Sequence, residues 1–381
     1  MTYAIIAVGY NRASEMKRLL LSICEAEVNN IQADLIISLD FSDKQKELIE
    51  VAEHCKWKYG KKIIRAYSER QGLRKHILQC GDLTSKYDAV VVLEDDLVVA
   101  KGFMQYVDSV CEMYRSNDKI AGISLYTHRT NPGNGRFFEA QFNGYDVFFM
   151  QYAQSWGQCW TRQMWEKFRK WYNNHDGDIQ IDWKMPKYIE KWNKQSWLKY
   201  YIRYTIDFEL FHIYPYHSLS TNGSSIGEHN NSYSSAYQVP LQQGIITRYR
   251  LPSLDDAVKY DAFFERIIDK SFEIRENGKV ILDLYGLRTE YGDNSILYSV
   301  KSLPYKMVRQ IQLQYRPIEV NCLLQEPGEG IFVYDLKTSF KAPRNRDEKI
   351  MEYELRAQSS KRVFRYEIRC LLKRLVAKVK R

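Results

Sequence analysis

The chain has 381 residues, of which 45% are hydrophobic and 27% charged, a balance that excludes an intrinsically disordered protein and suggests two domains, or one domain with an appendage. The formal net charge is +9, but residues 361–381 contain nine Lys or Arg and one Glu, so this tail carries +8 and the remainder about +1. A nucleic-acid-binding role is disfavoured, because such proteins carry their basic residues on the folded domain.

The seven cysteines lie far apart without a Cys-x-x-Cys pair, which argues against a disulfide framework and against a zinc site. The first residues lack the length and basic flank of a signal peptide, and no run of eighteen apolar residues occurs. From these features we expect a cytoplasmic protein in a reducing compartment.

Apolar runs alternate with segments of helical periodicity through the first hundred residues. Strands are predicted at 3–8, 33–39, 62–66 and 89–93. Helices are predicted at 13–26, 44–55 and 73–80. This alternation is typical of a three-layer α/β fold with a mainly parallel sheet.

Polar residues follow three of these strands, at Arg12, at Asp40 and at the acidic triplet Glu94-Asp95-Asp96. Ligands of open α/β sheets bind at the carboxyl ends of strands, where these residues should meet. Three adjacent carboxylates repel one another unless a cation is present, and oxygen ligands suit Mg²⁺ or Mn²⁺. The triplet therefore predicts a metal-assisted site, although a solvated loop or a helix N-cap remains the alternative.

The middle of the chain continues the pattern less regularly. Helices are predicted at 103–114 and 162–172 and a strand at 120–125, with a Gly/Asn/Pro loop at 131–135. Residues 216–235 are rich in Ser, Asn, Gly and Tyr, which is typical of a loop and suggests a mobile lid. After about residue 242 the composition changes, and strands are predicted at 279–284 and 330–334.

We therefore predict three regions: a main α/β domain at 1–240, a smaller α+β extension at 241–350 and a basic amphipathic helix at 351–381. The apolar residues of the tail recur at helical spacing, and Lys and Arg occupy its other face. Such a helix binds an anionic membrane surface, which predicts a protein peripheral to the inner face of the membrane. The alternative is a helix that packs on the protein and exposes its charged side.

Several segments together resemble nucleotide-sugar glycosyltransferases of the GT-A fold, nearest to the N-acetylglucosaminyltransferase I family and its bacterial relatives of the family 2 type. The resemblance covers roughly residues 3–235. It is carried by the segments 7–12, 38–40, 92–96, 155–157, 206–208 and 219–222, with His229. It implies a GT-A-type α/β/α fold with a mainly parallel sheet, a nucleotide-sugar donor and a bound Mn²⁺ or Mg²⁺.

 The donor that the resemblance implies most simply is a UDP-sugar.

The resemblance assigns roles to the residues at the strand ends. Asp96, the last acid of the triplet, is the expected metal ligand. Glu94 and Asp95 are expected to bind the ribose and to keep the rest of the site in position. Because the triplet replaces the Asp-x-Asp of many such enzymes, which acid contacts the metal stays open.

Other residues are expected around the nucleotide. Asp40 resembles the residue that accepts a hydrogen bond from the base, and Arg12 is expected near the nucleotide, unless it is a surface arginine that begins a helix. His76 is expected to approach the diphosphate, with a structural histidine as the alternative.

The remaining assignments concern the sugar and the acceptor. Asp207 is the expected catalytic base of an inverting reaction, with Glu209 and Asp182 as rivals. Trp156, followed by Gly157, is expected to stack on a sugar face, unless it is a core tryptophan. The segment from Asn222 to His229 resembles a loop that closes over the donor.

The predicted function is a metal-dependent, inverting transfer of a sugar to a glycan or lipid-linked glycan acceptor, in bacterial cell-surface polysaccharide assembly. A nucleotidyltransferase that makes activated sugars is a second interpretation, disfavoured because residues 9–12 lack the Gly-rich loop that holds a triphosphate. A catalytically silent glycan-binding protein is the third, disfavoured by the clustered carboxylates.

Overall fold

The computed structural model describes residues 1–28, 30–175, 179–223, 237–343 and 348–379. The chain packs as two compact units. The first unit is Met1–Phe272 with Leu287–Glu290, and the second unit is Glu273–Gly286 with Tyr291–Arg381. The first unit therefore continues past residue 240, and the functional division predicted there stays a prediction.

The first unit contains the strands and helices that the alternating pattern predicts. Its strands are β1 (Tyr3–Gly9), β2 (Ala33–Leu39), β3 (Lys62–Ala66), β4 (Ala89–Glu94), β5 (Leu97–Val99), β6 (Ile120–Ser124), β7 (Val147–Met150), β8 (Gln158–Thr161), β9 (Phe211–Pro215), β10 (Ser220–Asn222) and β11 (Lys259–Tyr260). Its helices are α1 (Ala13–Cys24), α2 (Gln45–His54), α3 (Leu73–Gly81), α4 (Phe103–Tyr114), α5 (Arg162–Asn173) and α6 (Trp197–Asp207).

Nine of these strands form one sheet in the order β11-β7-β9-β6-β8-β4-β1-β2-β3. Strands β1 to β4, β6 and β9 run in one direction, and β7, β8 and β11 run against them. The carboxyl ends of the six codirectional strands therefore define one edge of the sheet, called here the carboxyl edge, and their amino ends define the amino edge.

Helices cover both faces of this sheet. On one face, α1, α2 and α4 bury apolar side chains such as Met16, Leu48 and Phe103 against alternate residues of the central strands. On the other face, Trp160 of β8 packs on Trp165 of α5, with ring centroids 4.7 Å apart, and α3 and α6 lie on the same side. The predicted three-layer α/β fold with a mainly parallel sheet is thus confirmed.

The second unit has a four-stranded sheet of its own, in the order β12-β13-β15-β14. Its strands are β12 (Val280–Asp283), β13 (Ile296–Ser299), β14 (Tyr305–Gln312) and β15 (Gly330–Ser339), and its helices are α7 (Val320–Leu324), α8 (Glu348–Leu355) and α9 (Ser360–Val379). A small core forms around Leu297 and Tyr334. The predicted tail helix is thus two helices, α8 and α9, because the chain turns at residues 356–359.

Within the described residues, no helix has the length and apolar content needed to cross a bilayer.

Candidate functional site

Three neighbouring strands deliver the predicted site residues to the carboxyl edge. Strand β1 lies between β2 and β4, with Gly9 beside Leu39 and Val8 beside Glu94 in the parallel register. Arg12 follows β1, Asp40 follows β2, and the acidic triplet begins with Glu94, the last residue of β4. Residues 89–93 of β4 are buried, and Glu94, which ends the strand, is partly exposed.

Arg12 forms an ion pair with the middle acid of the triplet. Its Nε donates to Oδ2 of Asp95 at 3.3 Å, and its Nη2 donates to Oδ1 of the same carboxylate. The same Nη2 lies 3.7 Å from Oδ2 of Asp96. Asp95 is 4% exposed, so this two-point contact supplies the charge compensation that a buried carboxylate requires. Arg12 therefore belongs to the group of charged side chains at the carboxyl edge, and its predicted position near the nucleotide stays a prediction.

The acidic triplet carries more negative charge than Arg12 balances. Burial, reinforced by the charges of Asp96 and Asp95, raises the pKa of Glu94 to about 8. Burial also raises the pKa of Asp95 to about 6, against the opposing effect of Arg12. Both pKa shifts arise because it is energetically unfavourable to keep adjacent carboxylates ionised away from water. A further cation bound nearby would lower this energy.

Asp96 is the triplet member best placed to hold such a cation. Strand β10 pairs with β5 directly after the triplet, and this brings the Nδ2 of Asn222 within 3.1 Å of Oδ2 of Asp96. The other oxygen, Oδ1, accepts no hydrogen bond from the described residues, and the side chain is 23% exposed. One accessible carboxylate oxygen fits a Mg²⁺ or Mn²⁺ that keeps waters and substrate oxygens as its other ligands. Over the described ranges, no group of three or more His, Cys, Asp or Glu is arranged to hold a metal.

Asp40 is tied into the backbone of the loop before α3. Its Oδ1 accepts from the backbone N–H of Phe41 at 2.8 Å and of Gln71 at 2.7 Å, and its Oδ2 accepts from that of Gly72 at 2.9 Å. Gly72 has φ +74°, which suits glycine at this close turn. Asp40 therefore fixes the loop, and Oδ2 keeps acceptor capacity for one further donor, such as a base N–H.

His76 lies beneath this loop in a buried contact with Ser38. Its Nε2 is 2.7 Å from the Ser38 Oγ, which also accepts from the Arg65 guanidinium at 2.9 Å. Burial, with a further contribution from the Arg65 charge, lowers the pKa of His76 to about 4. A neutral imidazole held in this way supports the loop, so the structure favours the structural interpretation over a diphosphate contact.

Trp156 and Gly157 also reach the carboxyl edge, because they immediately precede the oppositely directed strand β8. The Trp156 ring stacks on Tyr237 with centroids 4.6 Å apart and lies 4.8 Å from the Tyr126 ring. Gly157 has φ +95°, and a Cβ at this position would lie 3.1 Å from the Ser220 Oγ. One face of Trp156 is thus covered by protein, and stacking on a sugar stays a prediction for the remaining surface.

The structure does not bring Asp207 to this group. Asp207 ends α6 and precedes β9, which runs parallel to β4, so it lies at the amino edge, across the sheet from the triplet. It pairs with Arg203 at 2.7 Å, and Arg203 also contacts Asp182 at 2.9 Å. Glu209, the other rival, lies two residues after Asp207 at the same edge. The position of Asp207 does not support the predicted role of catalytic base.

The predicted lid is described only in part. Residues 216–223 belong to the described chain and include β10, whereas residues 224–236, and with them His229, lie outside it.

Sequence reasoning missed three contacts of the site: the Asn222 amide on Asp96, the Tyr237 ring on Trp156 and the Arg65 guanidinium beside His76. The three-residue strand β10 is too short for a periodic signal, and no local pattern connects Tyr237 with Trp156 or Arg65 with His76.

No protein-family model and no curated protein matches the chain. Among solved structures, S. aureus TarS 1-349 in complex with UDP-GlcNAc is similar at 12% sequence identity and a TM-score of 0.39. The alignment covers 60% of this chain and 60% of the TarS chain. A second TarS 1-349 structure is similar at 11% sequence identity and a TM-score of 0.35, and the alignment covers 56% of this chain and 60% of the TarS chain. Similarity this low identifies no family and transfers neither a ligand nor an activity to this chain.

Proposed function

We propose that the first unit is the catalytic unit of a metal-dependent nucleotide-sugar glycosyltransferase. The observation that carries this proposal is the grouping of Arg12, Asp95 and Asp96 at the carboxyl edge, one strand away from Asp40. Ligands of open α/β sheets bind at this edge, where Asp96 could hold a metal that contacts a diphosphate and Asp40 could accept a hydrogen bond from a nucleobase.

We assign each residue of the carboxyl edge to one part of the bound donor. Asp96 would hold Mn²⁺ or Mg²⁺, which when bound neutralises charge on the departing nucleoside diphosphate. Arg12 holds Asp95 in place and compensates the charge of that carboxylate. Asp40 orients the base through Oδ2 while its other contacts fix the loop around it. A uracil N–H matches this acceptor, so UDP-sugars are the donors to test first.

Inversion of configuration remains a prediction, since Asp207 lies at the other edge of the sheet. The anomeric configuration of the first isolated product is the measurement that decides it.

The test is a panel of nucleotide sugars, with UDP-GlcNAc included, in which released nucleotide is measured with and without Mn²⁺. We expect one donor to be hydrolysed slowly in the presence of the metal, and Asp96→Ala to abolish that activity. Calorimetry with UDP provides a second readout, in which heat should appear with Mn²⁺ and be lost in the variant. Absence of both metal-dependent signals from the folded wild-type protein would refute the proposal.

The two other interpretations give different results in the same experiments. A nucleotidyltransferase would release pyrophosphate from a nucleoside triphosphate and a sugar phosphate. A silent glycan-binding protein would give heat with glycans and none that depends on UDP and metal together.

We further propose that the tail binds an anionic membrane surface and brings the enzyme to a lipid-linked glycan acceptor. In α9, Phe364 is 67% exposed, and Leu371 and Leu372 are 55% and 56% exposed. The same segment carries nearly all of the net positive charge of the chain. Exposed apolar residues on a basic helix are the features by which helices bind at the lipid headgroup boundary.

Co-sedimentation with vesicles tests this second proposal independently of catalysis. We expect binding to phosphatidylglycerol vesicles, weak binding to phosphatidylcholine vesicles, and loss of binding when residues 361–381 are deleted. Phe364→Ser with Leu371→Ser is the matched variant, because it keeps the charge and removes apolar surface. Vesicle binding that survives the deletion unchanged would exclude the tail as the anchor.

A further inference from the structure

Two cysteines meet at the ends of α1 and α2 that point away from the carboxyl edge. Cys24 is the last residue of α1, and Cys55 directly follows α2. Their Sγ atoms are 3.0 Å apart, and both residues are partly exposed. A disulfide has an S–S length of about 2.05 Å, so the two sulfurs need to approach by only about 1 Å.

The surroundings make the two thiols unequal. The Lys62 ammonium donates to the backbone carbonyl of Cys55 at 2.8 Å and to that of Ala52 at 3.0 Å. Hydrogen bonding between the two thiols, aided by the Lys62 charge, lowers the pKa of the Cys55 thiol, and the same contact raises the pKa of Cys24. Cys55 is thus the better nucleophile, and Cys24 is the thiol positioned to resolve a mixed disulfide.

We propose that Cys24 and Cys55 form a reversible intramolecular disulfide by exchange with a low-molecular-weight disulfide such as oxidised glutathione. The Cys55 thiolate attacks one sulfur of the oxidant, which breaks its S–S bond and releases one thiolate. Cys24 then loses its proton, attacks the Cys55 sulfur and releases the second thiolate. Two protein thiols are oxidised, one small disulfide is reduced to two thiols, and the two protein protons pass through solvent to the leaving thiolates.

The cross-link would join two helices that both begin beside the proposed nucleotide site. Helix α1 starts immediately after Arg12, and α2 starts five residues after Asp40. The link lies at their far ends, so it constrains the unfolded chain without contacting either residue. We expect oxidation to raise the thermal transition by several degrees and to leave UDP affinity within twofold.

A second cysteine pair provides an internal comparison. Cys111 and Cys159 lie 3.8 Å apart at their Sγ atoms, but both are buried in the core of the first unit. Burial and the hydrogen bond between them raise the pKa of the Cys111 thiol, and the oxidant cannot reach it without unfolding. If the distance between the sulfurs alone decided, both cysteine pairs would form disulfides. If the oxidant must also reach the thiols, only Cys24 and Cys55 would do so.

The test treats the reduced full-length protein with oxidised glutathione, blocks free thiols with iodoacetamide and maps tryptic peptides by mass spectrometry. We expect the Cys24 and Cys55 peptides to be linked, with the link removed by dithiothreitol and the Cys111 and Cys159 peptides unlinked. In Cys24→Ser, Cys55 should accumulate as a glutathione adduct. In Cys55→Ser, adduct formation at Cys24 should be at least tenfold slower.

Three outcomes would overturn the proposal. The first is separate glutathione adducts on Cys24 and Cys55 in the wild-type protein with no link between them. The second is a link that forms in Cys111 and Cys159 while Cys24 and Cys55 remain free. The third is no reaction at any of the four thiols. Because the mapping uses the wild-type chain, a variant that fails to fold does not weaken it.

Discussion

The first unit contains two clusters in which one arginine contacts two aspartates, and they lie at opposite edges of the same sheet. At the carboxyl edge, Arg12 binds Asp95 and lies near Asp96. At the amino edge, Arg203 binds Asp182 at 2.9 Å and Asp207 at 2.7 Å. The residue types are the same, so any difference in role must come from burial and from the balance of charge.

Burial and charge both differ. The side chains of Asp182 and Asp207 are 38% and 26% exposed, and each carboxylate has its own guanidinium nitrogen. At the carboxyl edge Asp95 is buried, a third acid adjoins the pair, and Asp96 keeps an oxygen that the described residues do not use. The comparison shows what distinguishes the two clusters. Carboxylates whose charge the protein leaves uncompensated are a candidate metal site, whereas carboxylates that each have a cationic partner form ion pairs.

The largest expected effect comes from Asp96→Asn. The change keeps the shape of the side chain and removes the charge that would hold the cation, so we expect a loss of about a thousandfold in turnover with the best donor. Released nucleotide is measured at saturating Mn²⁺, and thermal unfolding checks that the variant is folded. Turnover within tenfold of the wild type would remove Asp96 from the mechanism.

Replacing the arginines should distinguish the clusters by stability. Arg12→Gln leaves the buried Asp95 without its partner, and we expect a loss of about 3 kcal/mol in the free energy of unfolding. Arg203→Gln leaves two partly exposed acids that water can solvate, and we expect a loss of about 1 kcal/mol or less.

Urea unfolding at neutral pH measures both losses. Asp95→Asn combined with Arg12→Gln is the control, because it removes the stranded charge and should recover part of the stability. Equal losses in the two arginine variants would contradict the difference between the clusters.

The carboxyl edge could be predicted from the sequence because each of its residues follows a strand with a strong apolar pattern. Val90 to Leu93 is continuous and buried, so the position of the triplet at the end of β4 follows from local pattern alone. Parallel strands then bring Arg12, Asp40 and the triplet to one edge by topology.

The position of Asp207 could not be predicted from the sequence, because the local pattern does not indicate β9. Its five residues, Phe211–Pro215, include a histidine and a proline, which weaken the strand pattern. Asp207 precedes β9, one of the six codirectional strands, and therefore lies at the amino edge. The contacts of Asp40 with the N–H groups of Gln71 and Gly72 could not be predicted either, because they depend on how a loop about thirty residues away closes.

His76 gives a pH-dependent test of the support beneath the carboxyl edge. Its pKa is lowered to about 4 in the folded protein, below its ordinary value of 6.5, so folding disfavours protonation. Its contribution to stability is complete above about pH 6.5 and is lost as the pH falls toward about 4. Between about pH 7 and about pH 5 this loss amounts to about 2 kcal/mol.

Urea unfolding of the wild type and of His76→Gln at both pH values measures this contribution. The glutamine does not titrate, so the difference in stability between the two proteins should change by about 2 kcal/mol across the range. A constant difference would mean that His76 is not held neutral by the fold, and the structural interpretation would fail.

The smallest expected effect comes from Asp207→Asn, and it sharpens the comparison most directly. The change matches Asp96→Asn in chemistry and removes one ion pair of the i,i+4 type, which contributes about 0.5 kcal/mol to the stability of a helix. Because Asp207 lies across the sheet from the triplet, turnover should stay within about twofold of the wild type. A loss close to that of Asp96→Asn would place a reacting group at the amino edge, and the carboxyl edge would then bind the donor without containing the base. Measuring turnover of the two variants with the same donor and metal therefore tests which edge of the sheet contains the reacting groups, whatever sugar is transferred.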